Sequence, residues 1–163
     1  MRYLFVIAAL LVAPLSALRA EEVAKKPNII FILADDYGTG EVGCYGADNY
    51  KTPNIDALAK GGTRYTNAYT AALCGPSRAM ILTGRYAFRT GATNQDATGK
   101  MKPATEILMP TVLKTAGYVT SCVGKWGQLP LDPAKFGFDD YLKFRGSGKY
   151  WNTQPGAPWQ WLR

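Results

Sequence analysis

Residues 74–85 read Cys74-Gly75-Pro76-Ser77-Arg78-Ala79-Met80-Ile81-Leu82-Thr83-Gly84-Arg85, and the rest of the chain is organised around this stretch. Pro76 suits the first turn of a helix, where its missing N–H is one of the groups left over in any case. The apolar run Ala79–Leu82 continues that helix and Gly84 stops it. The pattern predicts a helix over about 76–82, with Cys74 just ahead of its N-terminus. Free N–H groups and the helix dipole there favour a thiolate or a bound anion. Arg78 adds a permanent positive charge one turn in. A cysteine so placed is either a nucleophile or a small buried hydrophobe, and the stretch alone leaves both open.

Upstream, Asn28-Ile29-Ile30-Phe31-Ile32-Leu33-Ala34 is a continuous apolar, β-rich run. It predicts a strand buried on both faces. The run ends at Asp35-Asp36 and opens into a loop carrying Gly38, Gly40, Gly43 and Gly46. Thr52-Pro53-Asn54 starts a helix with Ile55, Leu58 and Ala59 on one face and Gly61-Gly62 as its stop. Arg64–Thr70 predicts a second, shorter strand, after which a loop delivers Cys74. Residues 86–104 are polar and loop-like. Thr111–Ala116 reads as a short helix closed by Gly117, and Tyr118–Val123 as a strand with Gly124-Lys125-Trp126 just past its end. This order implies an α/β fold with a mainly parallel sheet flanked by helices.

The chain has 163 residues, enough for one modest domain. Met1-Arg2, the apolar run Leu4–Val12 and the small residues Ser16, Ala17 and Ala20 predict an export leader over 1–20. A linker follows over 21–26. The apolar run is too short for a stable membrane span, so a secreted or periplasmic protein is expected. The net charge of +7 favours anionic substrates or surfaces. No dense Lys/Arg stripe is present, so nucleic acid is not an expected partner. The tail 151–163 mixes tryptophan and proline without a structural period and reads as irregular or truncated.

The chain contains no histidine. A Ser-His-Asp triad, a Cys-His dyad and histidine-ligated zinc are therefore excluded within it. A metal held by its side chains is a hard ion on oxygen ligands. Three cysteines, Cys44, Cys74 and Cys122, allow one disulfide at most. In open α/β sheets, ligands sit beyond the carboxyl ends of strands. Asp35-Asp36, Cys74 and Lys125 all fall at such places. Adjacent carboxylates there can face one cation, or simply start a polar loop.

Taken in order, Pro27-Asn28-Ile29, Asp35-Asp36, Gly43-Cys44-Tyr45-Gly46, Thr52-Pro53-Asn54-Ile55-Asp56, Asn67-Ala68-Tyr69, Cys74-Gly75-Pro76-Ser77-Arg78 with Thr83-Gly84-Arg85, and Gly124-Lys125-Trp126 resemble the formylglycine-dependent sulfatases of the alkaline-phosphatase-like superfamily. The resemblance is close over 27–91 and looser to about 150, so residues 27–150 look like the N-terminal part of a sulfatase catalytic domain. It implies that Cys74 is oxidised to formylglycine, whose hydrated aldehyde attacks the sulfur of a sulfate ester. Pro76 and Arg78 match the motif read by the formylglycine-generating enzyme, and Arg78 also matches the residue that steadies the aldehyde. Lys125 matches a lysine that contacts the sulfate. Asp35 and Asp36, with position 74, match metal ligands, for Ca²⁺ in preference to Mg²⁺. The implied substrate is a sulfated small molecule or glycan.

Two departures stand out. Many sulfatases carry a histidine two residues after that lysine, where this chain has Gly127 followed by Gln128. Sulfatase catalytic domains are also considerably longer, with further metal ligands from a later segment. A fragment with little turnover of its own is therefore expected. Two other readings stay open from sequence: a non-catalytic, truncated exported α/β protein, and a phosphate or phosphonate ester hydrolase of the same superfamily.

Overall fold

The computed structural model describes residues 26–144 and, for the backbone, 161–162. The expected leader and most of the expected tail lie outside the described residues. The chain divides into two units, 1–34 and 35–163. In the first unit, Asn28–Ala34 is not the buried strand expected from its composition. It carries no helix or strand assignment, and Ile30 and Ile32 are 84% and 81% exposed. Composition states that a run can be buried on both faces. Burial itself needs neighbouring strands and covering layers, and the described residues of this unit contain none.

The second unit opens with 3₁₀ turns at Thr39–Glu41 and Gly43–Tyr45, followed by helix α1, Pro53–Gly61. Two sequence motifs meet here. Cys44 N–H donates to Asp56 Oδ1 at 2.7 Å, Gly43 N–H donates to Thr52 Oγ1 at 2.8 Å, and Thr52 Oγ1 donates to Asp56 Oδ1 at 3.0 Å. A Cβ at position 43 would collide with the Asp56 carboxylate, so only glycine lets the loop close on α1. Arg64–Thr70 is not the second strand expected. It is exposed, irregular chain, tied back where Tyr45 O–H donates to the Tyr65 carbonyl at 2.9 Å. Among the described residues no strand lies beside it to complete a ladder.

Helix α2 spans Cys74–Thr83, so Cys74 is its first residue rather than lying ahead of it. Gly84, with φ of +64°, closes the helix by donating its N–H to the Met80 carbonyl at 2.8 Å. Residues 86–104 are not simply loop. They hold helices α3, Ala87–Thr90, and α4, Gln95–Thr98, then a 3₁₀ turn at Pro103–Thr105. Asn94 caps α4 by accepting from the Ala97 N–H at 2.8 Å.

Helix α5, Met109–Thr115, precedes strand β1, Ser121–Gly124. Strand β2, Asp140–Phe144, lies parallel to β1, and β3, Trp161–Leu162, pairs antiparallel with β2. The sheet is thus a parallel pair with one antiparallel strand, and part of the expected irregular tail is in it. The core gathers Ala79 and Leu82 of α2 with Ala92, Met101, Leu108, Trp126, Leu129 and Phe136. Trp126 meets Phe136 edge to face at 4.9 Å and donates its Nε1–H to the Leu131 carbonyl at 2.9 Å. Aromatic pairs of this geometry contribute about 0.5–1.5 kcal/mol beyond their burial. Trp126 therefore fixes the chain immediately after β1, where Lys125 sits.

Phe136 is fully buried. Phe136→Ala is expected to lower stability by about 3–5 kcal/mol, read as a lower urea midpoint at an unchanged slope. Acid stability has a separate handle in Asp139. Lys114 at 2.7 Å and the Thr120 N–H at 2.8 Å hold its pKa down, from 3.8 to about 2. A depressed carboxylate stabilises the fold above its unfolded pKa and loses that contribution as pH falls through the folded one. Asp139→Asn should therefore flatten the fall in melting temperature between about pH 4 and pH 2.

Candidate active site

The loop before α2 is held by the helix it feeds. Ser77 Oγ lies 2.9 Å from the Leu73 carbonyl and 3.1 Å from the Ala71 carbonyl, as donor to both acceptors. Ser77 N–H also donates to the Leu73 carbonyl at 3.1 Å. With Pro76 buried beside it, this fixes where Cys74 leaves the loop. Leu73 supplies no side-chain cap, so the N–H groups of the first turn need other partners.

Polar groups converge on Cys74 from three directions. Gln95 Nε2 donates to Cys74 Sγ at 3.2 Å, and Lys125 Nζ approaches it at 3.8 Å. Cys74 S–H faces the acceptor Gln128 Oε1 at 3.6 Å. Lys125 Nζ also meets Asp35 Oδ2 at 2.6 Å, and Arg78 Nη2 lies 3.5 Å from Asp35 Oδ1. Arg78 Nη1 donates to the Lys125 carbonyl at 2.7 Å. The three charged side chains are only 8–15% exposed. Two cations thus share one carboxylate beside a partly buried thiol. Arg78 Nε is buried and has no hydrogen-bond partner among the described residues.

Cys74, Arg78, Lys125 and Asp35 are therefore brought together in space. Pro76 shapes the helix start, and Asp36 is exposed with a left-handed φ of +49°. Cys122 packs against the core, where burial pushes its thiol pKa up, offset in part by Arg78. All three cysteines are free thiols. Gln95 was not foreseen, because it lies in a segment that reads as loop. The Asn94 cap, with Asp96 in the first turn, was the available signal for the helix that carries it.

The surroundings of position 74 fit a formylglycine: a neutral donor, an ammonium donor and an acceptor all face the side-chain tip. The described residues do not by themselves fit Ca²⁺. Asp35 and Asp36 are the oxygen donors this chain would offer, but Asp35 is held by Lys125 and Arg78. Among the described residues no three cysteine or carboxylate side chains gather as a metal site, and Ca²⁺ takes about six to eight oxygens.

Gly127, where many sulfatases have histidine, has φ of +76°. A Cβ there would press on Arg78 Cδ at 3.2 Å. Any side chain at this position strains the backbone and displaces the arginine. Gly127→Ala should cost about 1–2 kcal/mol. Gly40→Ala, which meets nothing within 4 Å, should stay within about 0.5 kcal/mol. Thermal unfolding of the two variants reads the difference.

A family model described as Sulfatase matches residues 27–162. Human arylsulfatase D is 46% identical over 114 residues, covering 64% of this chain and 19% of its own length. Human N-acetylgalactosamine-6-sulfatase is 42% identical over 137 residues, covering 76% of this chain and 26% of its own length. A solved structure titled for the metabolism of multiple glycosaminoglycans by Bacteroides thetaiotaomicron superposes with a TM-score of 0.67. It is 39% identical, and the match covers 76% of this chain and 29% of that one. The chain therefore spans about a fifth to a quarter of the curated relatives' length. With its motifs, its partial α/β sheet and the match across residues 27–162, the chain belongs to the sulfatase family.

Proposed function

We propose that this chain contributes the nucleophile and part of the anion-binding surface of a sulfuric ester hydrolase. The observation that carries the reading is the placement of Lys125, Arg78 and Asp35 around position 74. A sulfate monoester carries one negative charge, and negative charge shifts onto the leaving oxygen as the S–O bond breaks. Two cations set against one carboxylate leave a surplus of positive charge where that change occurs.

Formylglycine, formed from Cys74 by a formylglycine-generating enzyme with an external oxidant, supplies a hydrated aldehyde as the nucleophile. The remaining work falls to side chains. Lys125, held by Asp35, presents an ammonium group toward the position-74 tip. Arg78 anchors the Lys125 backbone and so fixes the distance of that ammonium from the helix start. Gln128 Oε1 accepts a hydrogen bond from position 74, and Gln95 Nε2 donates one to it. Neither carboxamide exchanges protons near neutral pH, so both orient the nucleophile without serving as its base. A sulfated small molecule or glycan is the substrate class, and export to the periplasm or outside the cell is the setting. Asp35, Asp36 and position 74 would join a divalent cation, Ca²⁺ before Mg²⁺, only with further oxygen ligands and with Asp35 released from Lys125 and Arg78, and no step here depends on it.

The test is hydrolysis of an aryl sulfate by the full-length protein coexpressed with a formylglycine-generating enzyme. Cys74→Ala is expected to abolish turnover, and Lys125→Ala to lower kcat by at least about a hundredfold. Wild-type turnover by Cys74→Ala would overturn the reading.

A further inference from the structure

Helix α2 begins without a side-chain cap, yet one of its first-turn N–H groups has a partner from a distant helix. Gly75 N–H donates to Gln95 Oε1 at 3.2 Å, and the other end of the same carboxamide, Nε2, donates to Cys74 Sγ at 3.2 Å. The orientation of the amide is thereby determined. A backbone N–H needs an acceptor, so Oε1 must face Gly75 and the NH₂ must face the sulfur. Position 75 is cut to fit this arrangement. A Cβ there would overlap Gln95 Oε1 and also press on Thr98 Oγ1 at 3.2 Å. Thr98 is fully buried, and its Oγ1 donates to the Asn94 carbonyl at 2.7 Å. Asn94 caps α4, so Gln95 stands on a helix fixed at its start and packed against α2.

We propose that Gln95 is a positioning residue: its carboxamide, locked by the Gly75 N–H, holds the position-74 side chain beside Lys125. The idea rests on position 74 being the reactive centre. Glycine at position 75 leaves room for this clamp, because a side chain there would push the Gln95 carboxamide aside. Gln95 itself does no bond-making chemistry. Its part is to keep the position-74 side chain in one orientation, between a donor on one side and the Gln128 acceptor on the other.

The test reads the thiol before any modification, so it is separable from the hydrolysis assay. The unmodified chain is treated with iodoacetamide at one pH, and alkylation of Cys44, Cys74 and Cys122 is followed by mass spectrometry. Gln95→Glu keeps an acceptor for the Gly75 N–H but replaces the donor to sulfur with a carboxylate. It is expected to slow alkylation of Cys74 about fivefold or more, with Cys44 and Cys122 unchanged and the Gly75 amide resonance in place. Gln95→Met, similar in size and without donor or acceptor, should slow Cys74 in the same selective way while moving the Gly75 resonance. Should Gln95→Glu fail to fold, which faster alkylation of Cys122 would reveal, Gln95→Met decides. An unchanged Cys74 rate in the folded variants overturns the proposal, as does equal slowing of all three thiols. Such a result leaves the assignment of sulfate ester hydrolysis to position 74 and Lys125 standing. Conversely, absent hydrolysis with selective slowing at Cys74 counts against the proposed function alone.

Discussion

One carboxylate, Asp35, holds the charged part of the site together. Lys125 reaches it from just past the end of β1 and Arg78 from the first turns of α2, so two residues 47 positions apart in the chain are tied at one point. Arg78 strengthens the tie by donating to the Lys125 carbonyl. With side chains 8–15% exposed, removing Asp35 strands two poorly hydrated cations, a change that costs about 3–5 kcal/mol in comparable buried pairs, whereas removing either cation leaves Asp35 paired with the other. The same cluster places an ammonium group near the Cys74 sulfur. Structural integrity and the electrostatics of the site therefore rest on the same three side chains.

The short motif at residues 74–78 divides into distinct physical tasks. Cys74 opens the helix and presents its side chain to three polar groups. Gly75 leaves room for a carboxamide from α4. Pro76 is buried in the first turn, Ser77 pins the preceding loop, and Arg78 turns toward Asp35 and the Lys125 backbone. The following Thr83-Gly84-Arg85 ends the helix. Thr83 Oγ1 donates to the Ala79 carbonyl at 2.7 Å, Gly84 adopts the left-handed conformation, and Arg85 pairs with Glu106 at 2.6 Å. Conformation alone therefore explains much of what the motif contains, and the convergence on position 74 explains the rest.

Local signals were legible in the sequence where local physics decides the outcome. Helix α1 with its Thr52-Pro53 start, helix α2 with its glycine stop, and strand β1 followed by Lys125 could all be read. Asn28–Ala34 and Arg64–Thr70 could not, because a strand exists only when another lies beside it, and that is a property of distant chain. The charged residues of the site were legible through their motifs, whereas Gln95 belongs to no motif and entered through the fold of a segment that looked like loop. Gln128 stood next to the unusual Gly127, but only the turn at Gly127, with its positive φ, shows how the amide comes to face Cys74. The oxygen ligands a Ca²⁺ ion requires did not follow from the paired aspartates, since Asp35 is held by two cations instead.

The central claim is that Cys74 is the precursor of the reactive group rather than the reactive group itself. The most direct measurement is the mass of the tryptic peptide spanning residues 65–78, from protein coexpressed with a formylglycine-generating enzyme. A peptide lighter by about 18 Da than the thiol form, the difference between cysteine and formylglycine, is expected. An unmodified thiol at Cys74, under conditions that fully convert a control substrate, would contradict it.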